Sequence, residues 1–432
     1  MGHCLMAPGT RRWLVIAGVL MLAFGVRLGA AFWWQSRLGA AHAFGFPDSE
    51  GYWTLGRAIA AGEPYEHGGA DFRVFRAPGY PVFLASLFAV LGDEMPVMWA
   101  RVAGAWLGTL TVGALIWLGR DLFDGRTGLL AGLMAAVDPG AIGMSVFVLG
   151  EALFCPLMVG QLACWVRAGR EVPGRKHVWW ALAAGVVGAL ATLARPSWLL
   201  FLPFVLGLLV LASRRRWRHL AVGSWMVLGF CIAMGPWWVR NYVVVGRFVP
   251  TTLQVGASLY DGLSPSATGE SNMAFAEWHY RAQKRDDAAA GRSNEGFEVR
   301  LDRRLRDAAV AWAVEHPGAV VSLMGRKFCR MWNVWPNATE FRGWGLRVVM
   351  ALGFVPFLAL GLVGAWRWCR RGWPYVVCVL PAVYLTMLHV IFVSSIRYRQ
   401  PAMLVWLVLS AAVVSAWLCR RGLRRTVAHD AC

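Results

Sequence analysis

The sequence predicts an all-α polytopic membrane protein of about ten transmembrane helices, with interfacial helices and a largely helical outer segment. Three observations predict it. Of 432 residues, 58% are hydrophobic and only 16% charged, with a mean hydropathy of +0.49, a balance that soluble domains rarely show. The apolar residues gather in runs that approach the roughly 20 residues needed to cross a bilayer. The connectors between the runs are rich in arginine, as topology-setting loops are. In a soluble protein the formal charge of +19 would suggest nucleic acid. Here most of it lies in short connectors, so no nucleic-acid partner is expected.

At the N-terminus, Arg11 and Arg12 precede an apolar stretch from Trp13 to Trp34, and Ala41-His42-Ala43 resembles a cleavage site. The stretch is too long for the apolar region of a signal peptide, so it reads as an uncleaved first helix. Spans are predicted at 13–33, 97–119, 126–143, 151–167, 178–194, 197–212, 219–239, 346–366, 374–393 and 401–419. The run from Tyr80 to Leu91 has only 12 residues, short for a span and suited to an interfacial or re-entrant helix.

Charge decides that case. If the run does not cross, connectors 11–12, 120–126, 167–176, 214–218, 367–371 and 420–425 all share the cytoplasmic side and hold 19 Lys and Arg. The short connectors opposite hold only Arg195, Arg397 and Arg399. A crossing at Tyr80–Leu91 would turn 17 of the 19 outward against the positive-inside rule. Both termini are then cytoplasmic. Residues 1–239 form an N-terminal transmembrane module with an outer loop at 34–96, residues 240–345 an extracytoplasmic segment, and residues 346–432 the C-terminal transmembrane helices.

The second outer segment has an amphipathic run with Phe297, Leu301, Leu305, Ala308 and Trp312 on one face, stopped by His316-Pro317-Gly318. It suits either packing over the membrane domain or a small lobe. The nine cysteines show no metal-ligand spacing, and only Cys329 falls on the outer side, so no disulfide framework is expected. No repeat of fixed period is evident.

Chemistry is sought on the outer face. Asp48, in Phe46-Pro47-Asp48-Ser49-Glu50-Gly51-Tyr52, lies just after a span and before a short amphipathic helix; read alone, it is a helix N-cap. Glu151 opens the fourth span, where a carboxylate is costly unless solvated or paired, although a helix N-terminus also favours it. Asp138 is a weaker candidate of the same kind. Arg195-Pro196, Arg240-Asn241 and Arg397-Tyr398-Arg399 stand at outer span ends against the positive-inside bias, and an anionic ligand is the simplest reason, since guanidinium binds phosphate bidentately. Snorkelling to headgroups explains any one of them alone.

The acid in the first outer loop, Phe75-Arg76-Ala77-Pro78-Gly79-Tyr80-Pro81, Gly150-Glu151, Arg195-Pro196, Pro236-Trp237 with Arg240-Asn241, His316-Pro317, and Arg397-Tyr398-Arg399 with Pro401 together resemble bacterial GT-C type membrane glycosyltransferases. That group is similar to the dolichyl-phosphate-mannose protein mannosyltransferases and the aminoarabinose transferases. The resemblance spans most of the chain, in the right order. It implies a sugar on a polyprenyl phosphate as donor, a lipid, glycan or protein acceptor, membrane lipids around the protein, and residence in a bacterial cytoplasmic membrane. It also implies that Asp48 is catalytic or close to it. Ser49 separates Asp48 from Glu50, where the group often has two neighbouring acids.

The expected catalytic pair is Asp48, as base, and Glu151. The expected substrate-binding set is Glu50, Tyr52, Arg76, Tyr80, Arg195, Arg240, Asn241, Arg397, Tyr398 and Arg399. Attack through the acceptor by way of one carboxylate implies inversion at the anomeric carbon. The sequence requires no cofactor and gives no support for a divalent metal, which stays open. The alternative from another class is a multi-span lipid or anion transporter or flippase, against which stands the lack of an inverted repeat.

Overall fold

The computed structural model describes residues 8–39, 43–336 and 343–429. Ala41 and His42 of the cleavage-like triplet, with Cys4 and Cys432, lie outside the described residues, as do the side chains of Arg11 and of the charges beyond Arg420. Among the described residues there is no strand.

α1 (Pro8–Arg37) is one continuous helix of 30 residues. α2 (Pro47–Ala60) and α3 (Gly79–Leu91) follow in the first outer loop, and α4 (Val97–Leu122) re-enters the bundle. Arg101, near the start of α4, donates to Gln35 Oε1 at 2.8 Å and to the Ala43 carbonyl at 2.9 Å. The chain therefore leaves and re-enters at the same end, and a single crossing by the 13-residue α3 is excluded. α2 packs on α3 where Gly56 lies so close to Leu84 that an added Cβ would stand 2.7 Å from the leucine Cβ.

α5 (Gly125–Val137) and α6 (Pro139–Val146) replace the predicted span at 126–143 and are bent by 63°. Pro139 cannot continue the ladder, and Asp138 caps α6 by accepting from Ala141 N at 2.7 Å. The break leaves the last α5 carbonyls without helical partners, which an apolar surrounding makes costly. Arg27, 1% exposed, answers this by donating to Ala135 O at 2.9 Å and Ala136 O at 3.2 Å.

α7 (Glu151–Arg170), α8 (Arg175–Ala194), α9 (Phe201–Ala212) and α10 (Arg216–Val245) follow. α8 and α10 meet backbone to backbone: a Cβ at Gly185 would fall 2.0 Å from Met226 O, and one at Gly229 2.4 Å from Leu182 O, the small-residue contact that apolar helix pairs favour. α11 (Val255–Gly262), α12 (Ala276–Ala289), α13 (Phe297–Glu315) and α14 (Pro317–Met331) occupy the stretch at 240–345 that was expected to be an outer segment, and α15 (Trp344–Trp368), α16 (Leu380–Ile391) and α17 (Ile396–His429) return to the bundle.

Among the described residues seven helices are long and apolar enough to cross a membrane, or eight if the α5–α6 pair is one span, so this is a multi-pass membrane protein. The predicted spans at 197–212 and 374–393 contain α-helices of 12 residues each. The first is preceded by a 3-10 turn at Pro196–Trp198, and the second follows one at Tyr375–Cys378. The arginine-rich connectors gather at the end opposite Arg101. There Arg170 donates to Leu122 O at 3.1 Å, Arg218 to Glu171 O at 2.9 Å and Arg126 to Cys419 Sγ at 3.2 Å.

The amphipathic run of the outer segment is α13. Phe297, Leu301, Leu305 and Ala309 are its buried stripe, while Ala308 and Trp312 are only half-buried. It packs on α11 and meets Phe72 of the first outer loop in one small apolar core. It thus forms a lobe that rests on that loop. His316 does end it, but Pro317 at once opens α14. Lys327 of α14, fully buried, ties this lobe to the bundle by donating to Gly262 O at 2.8 Å and Ile391 O at 2.6 Å. Burial pushes the Lys327 pKa down to about 8.

Candidate active site

Five charged side chains from distant parts of the chain meet at the Arg101 end of the bundle. Asp48 comes from the first turn of α2, Arg76 from the loop before α3, Glu151 from the start of α7, Arg195 from the end of α8, and Arg397 from the start of α17. Arg76 Nη2 donates to Asp48 Oδ1 at 2.8 Å, and Arg397 Nη1 to Asp48 Oδ2 at 3.4 Å. Arg397 also grips Glu151 with two nitrogens, Nε on Oε1 and Nη2 on Oε2, the latter at 3.0 Å. Arg195 Nη1 donates to the same Oε1. Arg397 therefore bridges the two carboxylates, and three guanidiniums against two acids leave one unit of positive charge.

The two acids differ in access. The Glu151 side chain is 1% exposed and Asp48 39%, so only Asp48 faces an arriving molecule. Asp48 is not the N-cap: that position is Phe46, with Pro47 at the first helical position, and the Asp48 carboxylate turns instead to the arginines. Burial works to raise its pKa, but Arg76 and then Arg397 outweigh it and hold Asp48 below the usual carboxylate range. Arg76 is the counterpart. Burial works against its charge, yet Tyr52 and Asp48 keep its pKa above the ordinary value. Its Nε is buried with no hydrogen-bond partner among the described residues.

Aromatic rings line the cluster. The Arg76 guanidinium lies over Tyr52 at 5.4 Å and Phe75 at 5.6 Å, and that of Arg195 over Tyr398 at 5.2 Å, where cations are held by the ring faces. Tyr80 is buried, edge-on to Tyr52 at 5.4 Å. Close approach is built from glycine: a Cβ at Gly79 would stand 2.6 Å from Ala194 N, and one at Gly150 2.9 Å from Ala194 O. These two contacts seat the Arg76 loop and the start of α7 against the helix end that carries Arg195.

Other expected residues lie elsewhere. Glu50 is exposed on α2. Arg240 donates to Arg73 O and covers the rings of Tyr65 and Trp237 at 5.2 and 4.9 Å, one step behind Arg76, whose carbonyl accepts from Tyr65 Oη at 3.1 Å. Asn241 is fully buried and clamps Val249 O and Thr251 O. Arg399 turns away from the cluster: it donates to Met331 O and Asn333 O and sits 3.6 Å over the Phe354 ring. Asp138 is the α6 cap described above.

Two residues absent from the sequence reading shape the loop. Glu298 of α13 is buried, and its carboxylate accepts from the backbone N–H groups of Arg73, at 2.9 Å, and Val74, at 3.0 Å, two residues before Arg76. Burial pushes its pKa up to about 7 in spite of these bonds. Its signal was an acid on the apolar stripe of an amphipathic helix. His67 stacks on Phe75 at 5.2 Å and covers Gly51; burial, with Arg76 adding, pushes its pKa down to about 4, so it is neutral. Among the described residues no group of three or more His, Cys, Asp or Glu is placed to hold a metal ion. Both acids of the cluster are already engaged by arginine.

Residues 75–249 match the sequence model of the dolichyl-phosphate-mannose-protein mannosyltransferase family. No curated protein matches the chain in sequence. In fold it is similar to the archaeal oligosaccharyltransferase AglB from Archaeoglobus fulgidus in complex with an inhibitory peptide and a dolichol-phosphate, with TM-score 0.62, 15% identity, and 98% of this chain and 52% of that one covered. The apo form of the Archaeoglobus fulgidus oligosaccharyltransferase gives TM-score 0.60 at 15% identity, covering 96% and 52%. ArnT from Cupriavidus metallidurans bound to undecaprenyl phosphate gives 0.44 at 18% identity, covering 95% and 79%. The chain thus spans about half the length of the archaeal enzymes it matches. The GT-C type fold expected from the sequence is borne out.

Proposed function

We propose that this protein is a membrane glycosyltransferase that moves a sugar from a polyprenyl-phosphate donor to an acceptor hydroxyl on the extracytoplasmic face, with inversion. The observation that carries the reading is the bridged cluster of Asp48, Arg76, Glu151, Arg195 and Arg397, set at one end of a GT-C type bundle. Its single surplus positive charge matches the single negative charge of a sugar phosphodiester. The match to the mannosyltransferase family model over the Arg76 loop, Glu151 and Arg195 adds weight, as does the dolichol-phosphate in the archaeal neighbour.

The reaction breaks the bond between the anomeric carbon and the phosphate oxygen and forms one between that carbon and the acceptor oxygen. Charge grows on the leaving phosphate. Arg76, with a spare buried Nε, and Arg195, with one nitrogen committed to Glu151, supply donors to that oxygen where water is scarce. Asp48 accepts the proton of the acceptor hydroxyl as the new bond forms. Held low by two guanidiniums, it is a weak base. The mechanism therefore leans on the departing phosphate, which needs no strong acid. Glu151, sealed from solvent, fixes Arg195 and Arg397 in place rather than touching the sugar. Arg397 ties that clamp to Asp48.

The inner membrane, cytoplasmic termini, and the division into a module at 1–239, an outer segment at 240–345 and C-terminal helices at 346–432 belong to the same reading. The charge asymmetry between the two ends supports the sidedness. The transporter alternative is not favoured, since the charged cluster lies at a bundle end rather than near the midplane, where transporter sites sit. The test is incubation of the purified protein with radiolabelled polyprenyl-phosphate sugars. Release of the sugar from its lipid is expected; passage of intact lipid across reconstituted vesicles without cleavage sinks the enzyme and favours a flippase.

A further inference from the structure

At the end of the bundle opposite Asp48, a cavity of about 370 Å³ opens between the end of α7, the connector from α9 to α10 and the connector from α15 to α16. Arg214, Arg215, Arg218 and Arg371 line it, with His219 and Trp373. None of the four arginines forms a salt bridge among the described residues, and no acid lines the cavity. The Nε of Arg218 and the Nε1 of Trp373 are buried and have no hydrogen-bond partner there. His219 offers no negative charge, its Nε2 lying 3.2 Å from Ser213 Oγ. The cavity also sits at the N-terminus of α10, a helix of 30 residues that starts at Arg216 and adds positive dipole.

Arginines in topology-setting connectors ordinarily point outward into water and headgroups. Here four line one concavity; Arg214, Arg215 and Arg371 stay exposed, while the Nε of Arg218 and the Nε1 of Trp373 are buried and left over, a costly arrangement unless an acceptor completes it. Guanidinium is the group that matches phosphate oxygens two at a time. Trp165 and Val222 give the cavity an apolar wall beside the charges, which suits a phosphate carried on an acyl-bearing molecule.

We propose that this cavity is a binding site for a phosphate anion, and specifically for the phosphodiester headgroup of an anionic membrane lipid, separate from the cluster around Asp48. The site holds the α9–α10 and α15–α16 connectors together from the basic end. It does not depend on the glycosyltransferase reading.

The test uses the full chain, delipidated in detergent and then given phosphatidylglycerol, phosphatidylcholine or inorganic phosphate, with native mass spectrometry and thermal unfolding as readouts. Phosphatidylglycerol is expected to stay bound one to one and raise the unfolding temperature, and phosphatidylcholine to do neither. The double variant Arg215→Gln with Arg371→Gln is expected to weaken retention about a hundredfold, the scale of two lost charge-assisted bonds. The double variant Arg175→Gln with Lys176→Gln removes two exposed charges from the same end without lining the cavity, and is expected to bind as the parent does. If the Arg215/Arg371 variant does not fold, Arg371→Gln alone carries the comparison. A phosphate shift without a lipid shift keeps the anion site and overturns the lipid as its source. Equal retention of the two lipids, or equal loss in both double variants, overturns the site.

Discussion

The two ends of the helical bundle are both rich in arginine, yet they use it differently. At the Asp48 end three guanidiniums share two carboxylates in one network, with Arg397 bonded to both acids. At the opposite end four arginines line a cavity with no acid among its walls. Arginine that merely sets topology needs no partner. Arginine held in a fixed place before a ligand arrives does, because the partner carboxylate pays in advance for its burial and orientation. The paired end is accordingly where chemistry is expected, and the unpaired end where an outside anion completes the charge.

Perturbations should separate the ends, and the largest effect falls on Glu151. Glu151→Ala leaves Arg195 and Arg397 without their shared carboxylate, at a cost of about 3–5 kcal/mol, read as a lowered unfolding temperature and lost activity together. Asp48→Asn comes next: a fall of about 10²–10⁴ in turnover with little change in unfolding, since its side chain is 39% exposed. Arg76→Lys keeps the charge but loses the planar fork, and transfer should drop about tenfold at saturating donor. The smallest effect is a pH dependence at Glu298. Its pKa is raised to about 7, so the ionised form that accepts from Arg73 N and Val74 N prevails above that value and is lost as pH falls through it. Activity should decline over the same window, and Glu298→Gln should flatten the profile. A titration step unchanged in that variant would detach the outer lobe from the Arg76 loop.

The course of the chain around α3 was legible. Counting Lys and Arg across connectors kept the Tyr80–Leu91 run from crossing, and Arg101, bonded to Gln35 and Ala43, puts the end of α1 and the start of α4 at the same end. Glu151, Arg195 and Arg397 were named in advance because an acid at a span end and arginines against the charge bias are visible without coordinates, whereas Asp48, which alone read as a cap, and Arg76 were named on the strength of the family resemblance. The direction of Arg399 was not. The run at 394–400 read as a connector, but α17 starts at Ile396, and on a helix residues two apart face nearly opposite ways. Arg397 thus turns to Glu151 and Arg399 to Met331 O. Arg240 and Asn241 followed the same course, since α10 runs on to Val245 past the predicted end at 239. The role of Glu298 required a contact across more than 200 residues of chain, which no local pattern reports.

The most direct test compares sugar release from a polyprenyl-phosphate donor by the parent protein and by Asp48→Asn, reconstituted in the same lipid. The account predicts donor cleavage by the parent, and a fall of about 10²–10⁴ in the variant with its unfolding temperature kept. Near-normal turnover by Asp48→Asn would contradict the base assignment, and absence of cleavage by the parent with every donor tried would contradict the transfer reaction itself.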